Sequence, residues 1–269
     1  MLKKIKYQSS SFEYTILGEG KPVILLHGFG EDHRIWFIQA NFLSLHFKVI
    51  IPDLPGTGNT SLLKDGTIEG MAEMVHKILQ QEEIETCHVI GHSMGGYIAL
   101  ALVEKYPSQI SALGLFHSTA HADSEDKKES RKKASGLIMK YGASAFFRTS
   151  IPTLFAEKNK SERLDLIDEL INRTHNFFPE TLVYYYQAMI SRPDRTAILK
   201  NSKVPVLFII GKDDAAVPMS DILRQCHLPE KVYIHVLQNS GHMGMVEEPE
   251  VCNEILINFL LEVEIYNDL

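Results

Sequence analysis

Cys87-His88-Val89-Ile90-Gly91-His92-Ser93-Met94-Gly95-Gly96 carries a G-x-S-x-G pattern between a short apolar run and a helix-length segment, Met94 to Tyr106. Position matters as much as pattern. A sharp strand-to-helix turn forces its central residue into a strained backbone conformation, and flanking glycines leave room for the neighbouring chain. Such a turn lifts the Ser93 hydroxyl into a pocket. It also aims the first free amide of the helix, at Met94, and the positive end of the helix dipole at the place where negative charge develops on an attacked carbonyl oxygen. Five residues can match by accident in a glycine-rich turn, so the rest of the chain must supply what a serine nucleophile needs.

A serine hydroxyl is scarcely ionised at neutral pH and needs a base, oriented by a carboxylate. Twelve histidines compete for the role. His242 is placed best, in the loop Asn239-Ser240-Gly241-His242-Met243-Gly244 after the last expected strand. His88 falls inside a strand, and His92 is the variable residue beside the nucleophile, a candidate for the pocket wall. His46, His76, His175 and His235 read as surface or satisfied core residues. His117 and His121 suit the pocket wall but precede any acid in the chain order serine, acid, histidine. For the acid, Gly211-Lys212-Asp213-Asp214-Ala215-Ala216-Val217-Pro218 follows another strand and offers Asp213 and Asp214. A second oxyanion donor comes from the turn His27-Gly28-Phe29-Gly30, through the backbone amide of Phe29. His27 is expected to brace that loop.

Outward from the elbow, Val23 to Leu26, Val49 to Ile51 and the run around Val89 and Ile90 suit strands buried on both faces. Ile35 to Leu45, Ile68 to Glu82 and Met94 to Tyr106 alternate with them as helices, the signature of a parallel α/β sheet. Strands at Ile110 to Phe116, Val204 to Ile210 and Val232 to Leu237 continue the series, and a final helix starts near Glu250. Between His121 and Lys200 no strand pattern appears, only helical stretches at Ser124 to Met139, Glu162 to Thr174 and Pro179 to Ser191. The expected organisation is a core of residues 1–120 and 201–269 with a helical cap, 121–200, inserted. The charged run Asp123 to Lys133 reads as a solvated helix face.

Bulk properties exclude several classes. With 27 basic and 34 acidic side chains the formal charge is −7, and no basic stripe interleaved with aromatics suggests nucleic acid. No stretch of about eighteen apolar residues predicts a membrane span. Cys87, Cys226 and Cys252 lack metal-site or disulfide spacing and read as reduced thiols. With no apolar signal segment after Lys6, the expected location is the cytoplasm.

Taken together, these segments resemble the α/β-hydrolase superfamily from about Tyr14 to Phe259. His27-Gly28 resembles its oxyanion loop, Asp53-Leu54-Pro55-Gly56-Thr57-Gly58 its D-x-P-G-x-G turn, and Gly91 to Gly95 its nucleophile elbow. Gly211 to Pro218 is similar to its acid loop, in which the aspartate lies three after the glycine and four before the proline, at Asp214. Gly241-His242 with Glu247-Glu248-Pro249 resembles its histidine segment. The resemblance implies a mostly parallel sheet of about eight strands flanked by helices, and a serine hydrolase with Ser93, Asp214 and His242 as triad. Phe29 and Met94 would be oxyanion donors; no metal or organic cofactor is implied. Asp53 is expected to fix loop geometry. Trp36, Phe146, Phe147 and Tyr185, with His92, are candidate pocket residues, and Gln39 either touches substrate or packs. Phe155 and Tyr184 to Tyr186 suggest an apolar acyl or aryl group, while Arg148 and Arg192 are either carboxylate partners or surface residues. Serine rather than aspartate at the elbow disfavours haloalkane dehalogenase and epoxide hydrolase chemistry. Carboxylic ester hydrolysis is the first expectation. Relatives with the same triad cleave carbon-carbon bonds, open lactones, remove amino-terminal proline or run lyase steps, and some superfamily members are ligand receptors.

Overall fold

The computed structural model describes residues 1–8, 10–174 and 177–267; His175 lies outside them. Eight strands form one sheet: β1 Leu2–Tyr7, β2 Ser10–Leu17, β3 Pro22–Leu26, β4 Lys48–Pro52, β5 Cys87–His92, β6 Ile110–Phe116, β7 Val206–Gly211 and β8 Val232–Leu237. Their order is β1-β2-β4-β3-β5-β6-β7-β8. β2 runs antiparallel to both of its neighbours, and all other pairings are parallel. The central strands are buried along their whole length, as their unbroken apolar runs require.

The helices are α1 Phe37–Leu43, α2 Ile68–Gln81, α3 Met94–Lys105, α4 Glu125–Tyr141, α5 Ala143–Ser150, α6 Glu157–Glu162, α7 Leu164–Arg173, α8 Pro179–Ser191, α9 Thr196–Lys200, α10 Met219–Leu223, α11 Gly244–Glu247 and α12 Pro249–Asn267. α3 is buried from Met94 to Val103, because it packs on β5 and β6 and beneath α2 at once. Thr67 caps α2 by accepting from the Gly70 amide, which sets where the helix starts. α4 through α9 occupy the whole connection between β6 and β7, with no strand among the described residues there. The helix expected from Glu162 to Thr174 is α7, Leu164–Arg173, and a separate short helix, α6, precedes it and ends at Glu162.

β1 and β2 are not among the strands expected from the apolar runs. β1 is an edge strand on which Lys3, Lys4 and Lys6 flank Ile5, its one buried residue, a composition that blunts an open edge but hides the period-2 signal. Lys4 pairs with Glu13 on β2 at 2.6 Å, so the buried acid of β2 is neutralised from the edge.

The sheet order fixes where a crevice opens. From β3 the chain moves outward to β4, then returns to the other side of β3 to make β5. At that switch point the loops leaving the carboxyl ends of β3 and β5 diverge to opposite faces, and a ligand crevice forms between them. The β3 loop carries His27 to Gly30, and the β5 loop carries Ser93.

Candidate active site

Ser93 adopts φ 51° and ψ −114°, a left-handed value that a non-glycine residue rarely accepts. The glycines around it are required by contact. A Cβ at Gly91 would sit 2.2 Å from the Gly95 backbone, and one at Gly95 would sit 2.3 Å from the Leu26 carbonyl oxygen. The elbow is therefore wedged between its own helix and β3. A Cβ at Gly28 would lie 3.2 Å from the Ser93 Cβ, so the β3 loop rests directly against the elbow. Met94 is the first residue of α3, and its amide has no intrahelical carbonyl to meet. Among the described residues, neither that amide nor the amide of Phe29 donates to a protein acceptor.

His242 is buried, and its Nδ1 donates to Asp214 Oδ2 at 2.8 Å. Asp213 is exposed, and of the two aspartates it is Asp214 that is buried and meets His242. The other oxygen, Asp214 Oδ1, accepts the amides of Ala216 and Val217, each at 2.8 Å. Burial alone would raise the Asp214 carboxyl, but the charge of His242 and hydrogen bonds from His117 and His242 hold it well below the usual carboxylate range. Ser93 and His242 line one cavity of about 280 Å³ together with Phe29, Tyr97, Leu154, Tyr186, Met189 and Val217. The serine hydroxyl forms no hydrogen bond to His242 in this geometry, as is common before substrate tightens a site.

Two further histidines support this cluster. His117 follows β6, the neighbour of β7, and lies with Nδ1 3.3 Å from Asp214 Oδ2. Its Nε2 accepts the Gly244 amide at 3.2 Å, and burial lowers its pKa to about 4 against the pull of Asp214. The chain order serine, acid, histidine disfavours His117 as a base and says nothing about a second neighbour of Asp214. His117, Asp214 and His242 bring ligand-type atoms within 4.8 Å of one another. Both oxygens of Asp214 are already committed to amides and imidazoles, so the trio is accounted for as a hydrogen-bonded group.

His92 lines the cavity and does more. Its Nδ1 donates to Glu31 Oε2 at 2.9 Å, and its Nε2 donates to the His242 backbone carbonyl at 2.9 Å. Two acceptors on two ring nitrogens require the imidazolium. Burial pushes His92 down, and the Glu31 carboxylate overcomes it, leaving the pKa raised; Glu31 is in turn held low by His92 despite its own burial. Glu31 Oε2 also accepts the Gly28 amide at 2.6 Å. One ion pair thus joins the β3 loop, the elbow and the His242 loop.

Glu247 fixes the same loop from the other side. Its Oε1 accepts the amides of Gly241 and Met243, and its Oε2 accepts the Ala156 amide and the Asn159 side chain. Burial raises its pKa against these four donors.

Other expected residues sit elsewhere. Trp36 is fully buried against Phe116 and His92, with ring centroids 5.4 and 6.4 Å away, and does not line the cavity. Phe147 lies beneath Gly30, and Phe146 stands edge-on behind Phe29 at 6.2 Å; both back the wall without forming it. On α8 it is Tyr186 that faces the cavity, stacked on Phe29 at 4.3 Å. Tyr185, about 100° further round the helix, turns into the core. Gln39 packs, donating to the Met245 carbonyl. Arg148 is exposed, whereas Arg192 is buried over the Tyr97 ring at 3.8 Å. His27 braces its loop by accepting the Leu54 amide at 3.0 Å, and Asp53 fixes the turn by accepting from the His33 amide and ring.

A family model for the α/β hydrolase fold matches residues 21–249. The chain belongs to the α/β-hydrolase family. Its relatives include RutD of Pantoea ananatis, assigned as a carbamate hydrolase, 28% identical over 260 residues and 92% of each chain. A thermophilic esterase from Thermogutta terrifontis superposes with TM-score 0.91 at 27% identity, covering 98% of this chain and 99% of that one. The enol-lactonase of Burkholderia xenovorans LB400 superposes with TM-score 0.89 at 21% identity, covering 96% and 100%. This α/β hydrolase is thus an enzyme of a family whose members act on small molecules, and among its described residues no helix is long and apolar enough to cross a membrane.

Proposed function

We propose that this α/β hydrolase cleaves a small carboxylic ester through an acyl-enzyme on Ser93. The hydrogen bond from His242 Nδ1 to the buried Asp214 carries the reading, because it leaves Nε2 as the free base at the wall of the cavity that Ser93 also lines. His242 takes the serine proton as Ser93 attacks, and the tetrahedral oxyanion rests on the amides of Phe29 and Met94. His242 then protonates the leaving alcohol, and water repeats the sequence on the acyl group. Asp214 stays ionised and stabilises the imidazolium. No cofactor enters this chemistry.

The helical insertion, residues 121–200, acts in this proposal as a cap. Tyr186 and Met189 from α8 and Leu154 close the cavity over Phe29, giving an apolar wall for the acyl or aryl part of the substrate. The esterase similar to this chain at 27% identity supports the choice of ester over other carbonyl substrates. Short p-nitrophenyl esters offered to wild type and Ser93→Ala side by side test it. Turnover by the first and none by the second supports ester hydrolysis. An unreactive wild type against the whole panel would redirect the same residues to carbon-carbon or lyase chemistry.

A further inference from the structure

The cavity that Ser93 and His242 share has a cationic wall that the proposed acyl transfer does not use. Lys127 and Arg131, one helical turn apart on α4, both line it. Lys127 Nζ donates to the Ala216 carbonyl at 2.9 Å, in the loop that carries Asp214. Among the described residues no carboxylate lies within ion-pair distance of this half-buried ammonium. Arg131 donates from Nε to Asp123 at 2.6 Å, and Arg192 Nη2 meets the same carboxylate at 3.0 Å. Two guanidiniums therefore share one carboxylate, and among the described residues Lys127 has none. The guanidiniums are also held by rings of the cavity wall, Arg131 over Tyr186 at 5.5 Å and Arg192 over Tyr97 at 3.8 Å. Arg131 Nη1 remains without a hydrogen bond among the described residues.

A half-buried ammonium without a counter-charge is costly, one carboxylate only partly offsets two guanidiniums, and a ligand anion is the partner that would relieve both. The remaining acids of the site are committed: Glu31 to His92, Asp214 to His242. We propose that the substrate carries a carboxylate beyond its scissile carbonyl and that Lys127 and Arg131 bind it, so that the preferred substrate is a half-ester of a dicarboxylic acid or an equivalent anionic ester. This rests on the reading of Ser93 as nucleophile and names the substrate class.

The test compares mono-p-nitrophenyl adipate with p-nitrophenyl heptanoate, matched in length but differing in charge. Wild type should favour the anionic ester in kcat/KM, with the preference shrinking as salt rises. Lys127→Gln should lower the anionic-to-neutral ratio about tenfold, and Lys127→Glu should lower it further. A ratio that favours the neutral ester, or that ignores both substitutions while Ser93 still turns over heptanoate, overturns the anionic subsite and leaves the nucleophile standing. If neither ester is cleaved, the ester-hydrolysis reading fails, and binding of monomethyl adipate to Ser93→Ala, followed by calorimetry, decides the subsite separately. Saturable binding weakened by Lys127→Glu supports it; absent binding, or binding indifferent to that substitution, overturns it.

Discussion

Glu31 and His92 form an ion pair at 2.9 Å that ties the loop after β3 to the residue immediately before Ser93. Because the second nitrogen of His92 holds the His242 carbonyl, the pair sets the distance between the loop after β3, Ser93 and His242. Glu31→Gln removes one charge of a buried pair and should cost about 3 kcal/mol of stability. Chemical denaturation of wild type and variant measures it. A difference below about 1 kcal/mol would mean that the pair is wet and slack.

The same pair predicts an alkaline limb. His92 has a raised pKa in the folded protein, so its contribution is fully present below the unfolded histidine value of 6.5 and is lost as pH rises through the folded value. Stability measured upward from pH 6.5 should therefore fall in wild type and stay flatter in His92→Asn. Parallel curves would remove His92 as the cause.

His117 works in the opposite direction. Its folded pKa is about 4 against 6.5 unfolded, so the unfolded chain gains the proton first, and stability falls as pH drops from 6.5 to 4. The loss expected over that window is on the order of 3 kcal/mol. His117→Gln should flatten it, as read from midpoints of urea unfolding at stepped pH. A wild-type curve already flat across that window would contradict the buried, neutral ring.

Asp214→Asn should lower kcat by roughly 10⁴-fold, the cost of presenting the base in the wrong tautomer. Asp213→Asn, at an exposed position, should change it less than about twofold. Steady-state kinetics on a short ester separates the two, and equal losses would dissolve the assignment.

Glu247→Ala strips four donors of their acceptor around the His242 loop, and each buried orphan costs about 1 kcal/mol or more. A lowered melting temperature with a matching fall in kcat is expected. Unchanged kcat in a destabilised variant would show that the loop keeps its geometry without the acid.

What the sequence could disclose follows from range. The elbow, the oxyanion loop and the acid loop are local motifs, each readable from a few consecutive residues, and the parallel strands announce themselves because both faces are buried. β1 and β2 are quiet for the opposite reason, one being a lysine-flanked edge. Contacts between distant loops are silent in one dimension: His117 with Asp214, and Glu31 with His92, stand 97 and 61 residues apart. The strand order that seats β6 beside β7 would have pointed to His117. For Tyr186 against Tyr185 the signal was rotational phase on α8, and a run of three tyrosines does not reveal its phase.

The central claim is that Ser93 is made nucleophilic by His242. A fluorophosphonate probe, followed by peptide mass mapping and timed labelling, tests it most directly. The adduct should map to Ser93 alone, vanish in Ser93→Ala and form at least a hundredfold more slowly in His242→Ala. Labelling at another residue, or an unchanged rate without the imidazole, would contradict the account.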